Sequence, residues 1–226
     1  GTTLLFGHRI LPIAGMYNFR DIGGYLTSSG KRIKWGVGYR SDYLFTLKDE
    51  GMEFAEDLGI KTIIDFRSPH EVEECPNRDI GQINSFVCDP NAHTAMMAGV
   101  LQSGETKSSN VDMVARAKEQ IAKGIYTGDA QMIDQQLRFA TSEVSKEAFT
   151  KSIKALANPD HAPSLQHCRG GKDRTGFGLM LLEGILGIED KEVLIYDYML
   201  TRRARAEKSK LYYKRFLDMA KDEQIA

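Results

Sequence analysis

Residues 163–176 read Pro-Ser-Leu-Gln-His-Cys-Arg-Gly-Gly-Lys-Asp-Arg-Thr-Gly and bring a nucleophile, two permissive backbone positions and a fixed cation into one short span. Cys168 supplies the thiol. It reacts as the thiolate, and helix N-termini or nearby cations lower a thiol pKa from about 8.5 to roughly 3.5–7.5. Gly170 and Gly171 give access to positive φ, so that successive N–H groups can converge into an anion cradle at a helix start. Arg174, six positions after Cys168, adds a planar fork that matches two oxygens of a phosphate. A nucleophile at the floor of a phosphate-sized cradle implies phosphoryl transfer to sulfur.

The elements that must position these groups are legible around them. Pro163 to Gln166 reads as a short strand and Phe177 to Leu186, nearly all apolar, as a buried helix. Cys168 then sits where the strand ends and Arg174 where the helix begins. A lone Cys at a strand end is ordinarily a small buried hydrophobe, and a glycine pair before a helix is ordinarily a turn. Here Cys, two glycines, Lys, Asp, Arg and Thr fall together between Cys168 and Thr175, which favours a site. It is not a Walker A loop, because Asp173 follows Gly171-Lys172 and Gln166 stands where that motif needs its first glycine.

The run from His167 to Gly176 resembles the H-C-x-x-G-K-D-R-T-G signature of the bacterial tyrosine phosphatases that also dephosphorylate phosphoinositides, within the wider C-x5-R cysteine phosphatases. Asn18-Phe-Arg-Asp21 with Gly23-Gly24-Tyr25, Tyr39-Arg-Ser, and Asp65-x-Arg-Ser-x-x-Glu71 are similar to further elements of that family. The resemblance implies a cysteine-phosphatase fold: a largely parallel sheet with helices on both faces and a strand–phosphate loop–helix core. It also implies that Arg20 and Asp21 support the loop from beneath. By residue type alone those two read as a salt-bridged corner. Arg67 and Glu71, four apart, could pair across a helical turn.

The mechanism expected of such a site has two steps. The Cys168 thiolate attacks phosphorus while Arg174 and the N–H groups of a loop built from Arg169, Gly170, Gly171, Lys172 and Thr175 bind the equatorial oxygens, and water then cleaves the phosphocysteine. His167 would organise the loop backbone, and the Thr175 hydroxyl could donate to the sulfur. The leaving oxygen needs a general acid. Many cysteine phosphatases place an Asp on a separate upstream loop, which makes Asp129 and Asp89 candidates, whereas the resemblance implies Asp173 inside the loop. Lys172 at the pocket floor and Arg169 near its rim suit a substrate with more than one phosphate, so phosphotyrosine proteins or peptides and phosphoinositide lipids are the expected partners. Two other readings stay open: a catalytically silent phosphate-binding module, and a thiol redox or arsenate-reducing enzyme. The latter needs a resolving Cys, and Cys75 and Cys88 lie 93 and 80 residues before Cys168.

The rest of the chain bounds these readings. At 226 residues and 42% hydrophobic it suits one domain (1–226) with a substantial core. A net charge of −1 confines any basic site to a local patch and argues against nucleic acid as partner. Three Cys in so long a chain fit free thiols, not a disulfide scaffold. The five scattered His residues show no metal-ligand spacing, and neither metal nor cofactor is expected. No run approaches the roughly 18 apolar residues of a membrane span. The opening Gly1-Thr2-Thr3 without Met leaves a cytoplasmic location, or secretion after loss of a leader, both open.

Short strands are expected over Arg9–Ile13 and Ile33–Tyr39, a helix over Thr46–Leu58 capped by Thr46, and strands over Lys61–Phe66 and Gln82–Cys88. Residues 91–128 are polar and small at first, and the resemblance implies a lid or variable insertion there; a weakly amphipathic helix is expected over Val111–Lys123. Helices follow over Ala130–Ala140, Ser145–Ala157, Glu189–Leu200 and Thr201–Met219. The alternation of strands and helices argues for α/β layers. Between Arg202 and Arg215, the seven basic residues Arg202, Arg203, Arg205, Lys208, Lys210, Lys214 and Arg215 face only Glu207. They read as a solvated helix face, or else as a patch that attracts an anionic substrate or membrane surface.

Overall fold

The computed structural model describes residues 9–92, 122 and 128–220. Its centre is a five-stranded sheet: β1 (Arg20–Asp21), β2 (Gly38–Ser41), β3 (Thr62–Asp65), β4 (Asn84–Val87) and β5 (Ser164–His167), in the spatial order β1-β2-β5-β3-β4. Only β1 runs antiparallel to its neighbour. The sheet is therefore mostly parallel and flanked by helices, as expected. β2, β3 and β5 are buried at every position, as strands covered on both faces must be.

The register decides where the chemistry lies. Ser41 and Asp65 both pair with His167, and Asp65 pairs with Val87. The carboxyl ends of four parallel strands are thus level, and Asp42, Phe66, Cys88 and Cys168 all leave the sheet at one edge. Ligands of parallel α/β sheets bind at that edge. Side chains alternate across the sheet. Ile63 and Leu165 join a cluster with Phe19, Tyr39, Leu44 and Ile80, while Ile64, Phe66, Cys88 and Cys168 join Phe139 and Phe149 on the other face. There the rings of Phe149 and Phe177 lie 4.9 Å apart and those of Phe66 and Phe149 5.4 Å apart.

The helices are α1 (Asp49–Asp57), α2 (Pro69–Glu74), α3 (Gly128–Thr141), α4 (Glu143–Leu156), α5 (Asp173–Ile185), α6 (Lys191–Ala204) and α7 (Ala206–Ala220). Several boundaries differ from expectation. Thr46 does not cap α1; it ends a 3-10 turn (Leu44–Thr46), the buried Leu47 follows, and the extended Lys48 is the N-cap residue of the helix. The run Ile33–Tyr39 is broken by Gly36 at φ +73°, and Arg9–Ile13 contributes only the bridge Ile10–Arg20. The break between the last two helices falls at Arg205, not at Leu200. The expected lid within 91–128 and the helix over 111–123 lie almost wholly outside the described residues.

Candidate active site

The loop between β5 and α5 is held by its carbonyls. The Cys168 carbonyl lies 3.2 Å from His167 Nδ1, and that of Arg169 accepts from the Tyr43 N–H. Gly170 O accepts from Asn18 Nδ2 (3.2 Å) and Arg205 Nη1 (2.5 Å), and Gly171 O from Asn18 Nδ2 (2.7 Å) and Arg40 Nη2 (2.9 Å). In a trans peptide the N–H points opposite the carbonyl. Four consecutive carbonyls bound from outside therefore turn the N–H groups of Arg169, Gly170, Gly171 and Lys172 inward, where they make no hydrogen bond among the described residues. Gly171 sits at φ +61°, and a Cβ there would overlap Ser41 O. α5 then starts with no side-chain cap at Lys172, which leaves its first amides available to an anion.

Arg174 is aimed by a residue the sequence assigned elsewhere. Its Nη1 donates to Glu71 Oε2 (2.6 Å) and Phe66 O (3.1 Å), and its Nη2 to Glu71 Oε1 (2.9 Å). A guanidinium has five N–H donors. Three are used, and the two left, Nε–H and one Nη2–H, lie along the same edge as a fork for two phosphate oxygens. Burial works against the charge, but the Glu71 hydrogen bonds and the charges of Cys168 and Glu71 outweigh it and raise the Arg174 pKa. On Glu71, burial pushes upward and the Arg174 fork pulls harder, so its carboxyl lies below its usual value. Glu71 is thus an anchor and not a proton donor at neutral pH.

The expected Arg67–Glu71 side-chain pair is not formed. Arg67 turns back to Asp65 (Nη2 to Oδ2 2.7 Å), because β3 ends at Asp65 and brings that carboxylate closer than the next turn. Glu71 instead closes a capping box with Ser68. Asp65 and Arg67 frame His167 through Asn77, a residue sequence reasoning missed. Asn77 Oδ1 accepts from Arg67 Nη2 and the Leu44 N–H, so its Nδ2 donates to His167 Nε2 (3.1 Å). Nε2 is then the acceptor, and Nδ1–H donates to the Cys168 carbonyl. Burial lowers the His167 pKa despite the opposing Asp65 charge, in keeping with a neutral ring that organises the loop backbone.

Beneath the loop, Arg20 and Asp21 do not form a corner with each other. Arg20 donates to Asn18 Oδ1 (2.5 Å) and to Asp197, which also takes Arg40 Nη1 at 2.6 Å. It supports the loop through Asn18, whose amide holds two loop carbonyls. Asp21 instead accepts from the N–H groups of Gly23 and Gly36 and fixes a distant turn. Burial opposes ionisation of Asp197, but Arg40 and Arg20 hold its carboxyl below its ordinary value. Nearby Glu183 is pushed up to about 8, first by burial and then by the Asp197 charge. Thr175 is buried and its hydroxyl has no hydrogen-bond partner among the described residues, so the expected bond to the sulfur is not made.

A cavity of about 980 Å³ opens above Cys168 between the loop, Glu71 and the α6–α7 elbow. Asp173 lines it, with Oδ1 accepting from Tyr198 Oη at 3.1 Å. Lys172 is exposed at the rim, 3.6 Å from Asp173, and not at the floor as expected. The basic stretch after residue 201 is only partly a solvated face: Arg202, Arg205 and Lys208 turn to the cavity, and Lys208 is buried against Asp42. Asp89 accepts from the Asn91 N–H and contributes to the field at Arg174; the side chain of Asp129 lies outside the described residues. No metal-binding cluster occurs among the described residues. Cys88 and Cys168 follow strand positions two spacings apart, about 9.6 Å at roughly 4.8 Å each, too far for a disulfide, whose Cα atoms lie within about 7 Å.

A sequence model of the tyrosine phosphatase family matches residues 11–225, and the chain belongs to that family. It is similar to a putative tyrosine-protein phosphatase of Cupriavidus necator, 27% identical over 201 residues, a match covering 89% of this chain and 66% of that protein. It is likewise 27% identical over 230 residues to the triple specificity protein phosphatase PtpB of Mycobacterium tuberculosis, covering 92% of this chain and 76% of the relative. The chain thus spans about two thirds of the first relative's length.

Proposed function

We propose that this chain hydrolyses phosphate monoesters, with phosphotyrosine as a substrate, through a phosphocysteine. The observation that carries the reading is the inward set of loop N–H groups facing the free edge of Arg174 above Cys168. Together they form a ring of donors for the equatorial oxygens of a phosphoryl group attacked from the sulfur side. Sulfur bonds to phosphorus as the bond to the leaving oxygen breaks, and Asp173, with its carboxyl in the cavity, gives that oxygen a proton. Water then attacks the phosphocysteine, Asp173 takes the proton, and the S–P bond breaks to return the thiolate and release phosphate. The charge is met by Arg174 and the backbone dipoles, so the scheme uses no metal ion.

The cavity is wider than one phenyl phosphate needs, and the charges around it are uneven. Arg174 is matched by Glu71, Lys172 by Asp173 and Lys208 by Asp42, whereas Arg169 and Arg202 have no ion pair among the described residues. That surplus supports substrates with a second anionic group, such as a phosphoinositide head group or an acidic phosphopeptide. No helix among the described residues is long and apolar enough to cross a membrane; a lipid substrate would be met by peripheral contact through the same basic surface. The test is phosphate release in EDTA from phosphotyrosine peptide and from phosphoinositides, wild type beside Cys168→Ser. Release that disappears in the variant while phosphate still binds supports the reading; release that persists overturns it.

A further inference from the structure

Gly170 does not lie in the left-handed region, unlike Gly171, so backbone conformation does not explain a glycine there. Space does. A Cβ on Gly170 would overlap Arg205 Nη1 and lie 3.2 Å from its Cζ. Arg205 is the single residue between α6 and α7, and its backbone is fixed on both sides: its N–H donates to Thr201 O (3.0 Å) and its carbonyl accepts from the Ser209 N–H (2.8 Å). From that elbow the side chain reaches 35 positions back to Gly170 O.

We infer that Arg205 is a positioning residue that locks the Gly170–Gly171 peptide of the phosphate loop, and that residue 170 is glycine to seat its guanidinium. This peptide plane has glycine on both sides, so it is the one in the loop with least steric resistance to rotation. The other donor to Gly170 O, Asn18 Nδ2, is longer at 3.2 Å and is shared with Gly171 O. With the carbonyl held outward by a cation, the Gly171 N–H is held inward and polarised. Without it the plane can turn, and a carbonyl oxygen would then face the phosphate. The kinetic part of this inference rests on the proposed phosphatase reading; the packing part does not.

The test is a double-mutant cycle on the full chain with Arg205→Ala, Gly170→Ala and the pair, plus Arg205→Lys. Removal of a charged hydrogen bond, about 1.5–3 kcal/mol, corresponds to roughly 10- to 150-fold; Arg205→Ala is expected to lose kcat/KM within that range, mostly in kcat, and to weaken inhibition by vanadate in parallel. Arg205→Lys, which keeps one donor for one carbonyl, restores most of both. Gly170→Ala is harmful in the wild-type background and adds little in the Arg205→Ala background, because the clash is gone. Losses that multiply, or a Lys variant no better than Ala, overturn the inference. The same cycle read by thermal unfolding tests the Gly170–Arg205 contact without turnover. An inactive wild-type chain with this coupling intact would sink the phosphatase reading alone, and additive unfolding shifts would sink the clasp alone.

Discussion

Glu71→Gln isolates the anchor that aims Arg174. In the wild type, Oε2 accepts from Arg174 Nη1 and the Ser68 N–H, and Oε1 from Arg174 Nη2. A Gln side chain can place its carbonyl oxygen at Oε2 and keep the first two bonds, but its NH₂ then faces Nη2, donor against donor. One charge-assisted bond of about 1.5–3 kcal/mol is lost, and the pair is mostly buried, with 15% and 21% of the two side chains exposed. If the whole loss falls on the transition state, kcat/KM drops by roughly 10- to 150-fold, at 1.36 kcal/mol per factor of ten. The guanidinium stays charged, so the pH profile keeps its shape while its height falls. Steady-state hydrolysis of an aryl phosphate, with thermal unfolding measured in parallel, reads both consequences. Ser68→Ala is the control: it opens the capping box and lowers stability by about 0.5–2 kcal/mol without touching Arg174, and turnover is expected to hold. Turnover in Glu71→Gln equal to wild type would refute the idea that this carboxylate sets the catalytic fork.

Other consequences can be checked separately. Asp173→Asn is expected to slow aryl phosphates with poor leaving groups far more than those with good ones; equal losses would move the acid role to Asp89 or Asp129. Arg169→Ala and Arg202→Ala should reduce turnover of doubly anionic substrates selectively, and a uniform loss across substrates would remove the second-anion reading. Glu183, pushed up by burial to about 8 from the ordinary 4.5, keeps its proton in the folded chain after the unfolded chain has lost it. It therefore lowers stability progressively between about pH 4.5 and 8. Glu183→Gln removes that decline, so its gain over wild type grows across this window, on the order of 1 kcal/mol or more, or about 2–4 °C per kcal/mol in Tm; a difference independent of pH would contradict the assignment.

Much of the site was legible because it is local. Cys168, the glycines and Arg174 occupy one turn between a strand and a helix, and residue type together with short-range geometry suffices to propose a nucleophile, a cradle and a cation there. The α/β class was legible for the same reason, from strands and helices that alternate along the chain. The supports were not. Arg174 meets Glu71 across 103 residues, His167 meets Asn77 across 90, and Asn18 meets the loop carbonyls across 152 and 153. Such partners are chosen by strand order and register, which level Ser41, Asp65, Val87 and His167 at one edge, and no spacing rule along the chain encodes that. The i,i+4 rule even misleads at Arg67, because Asp65, at the end of its strand, lies closer than Glu71. The sequence alone thus determined the candidate nucleophile, cradle and cation and the kind of fold that carries them. The tertiary structure decided which side chains hold those groups in place, since a hydrogen bond depends on distance in space and not along the chain.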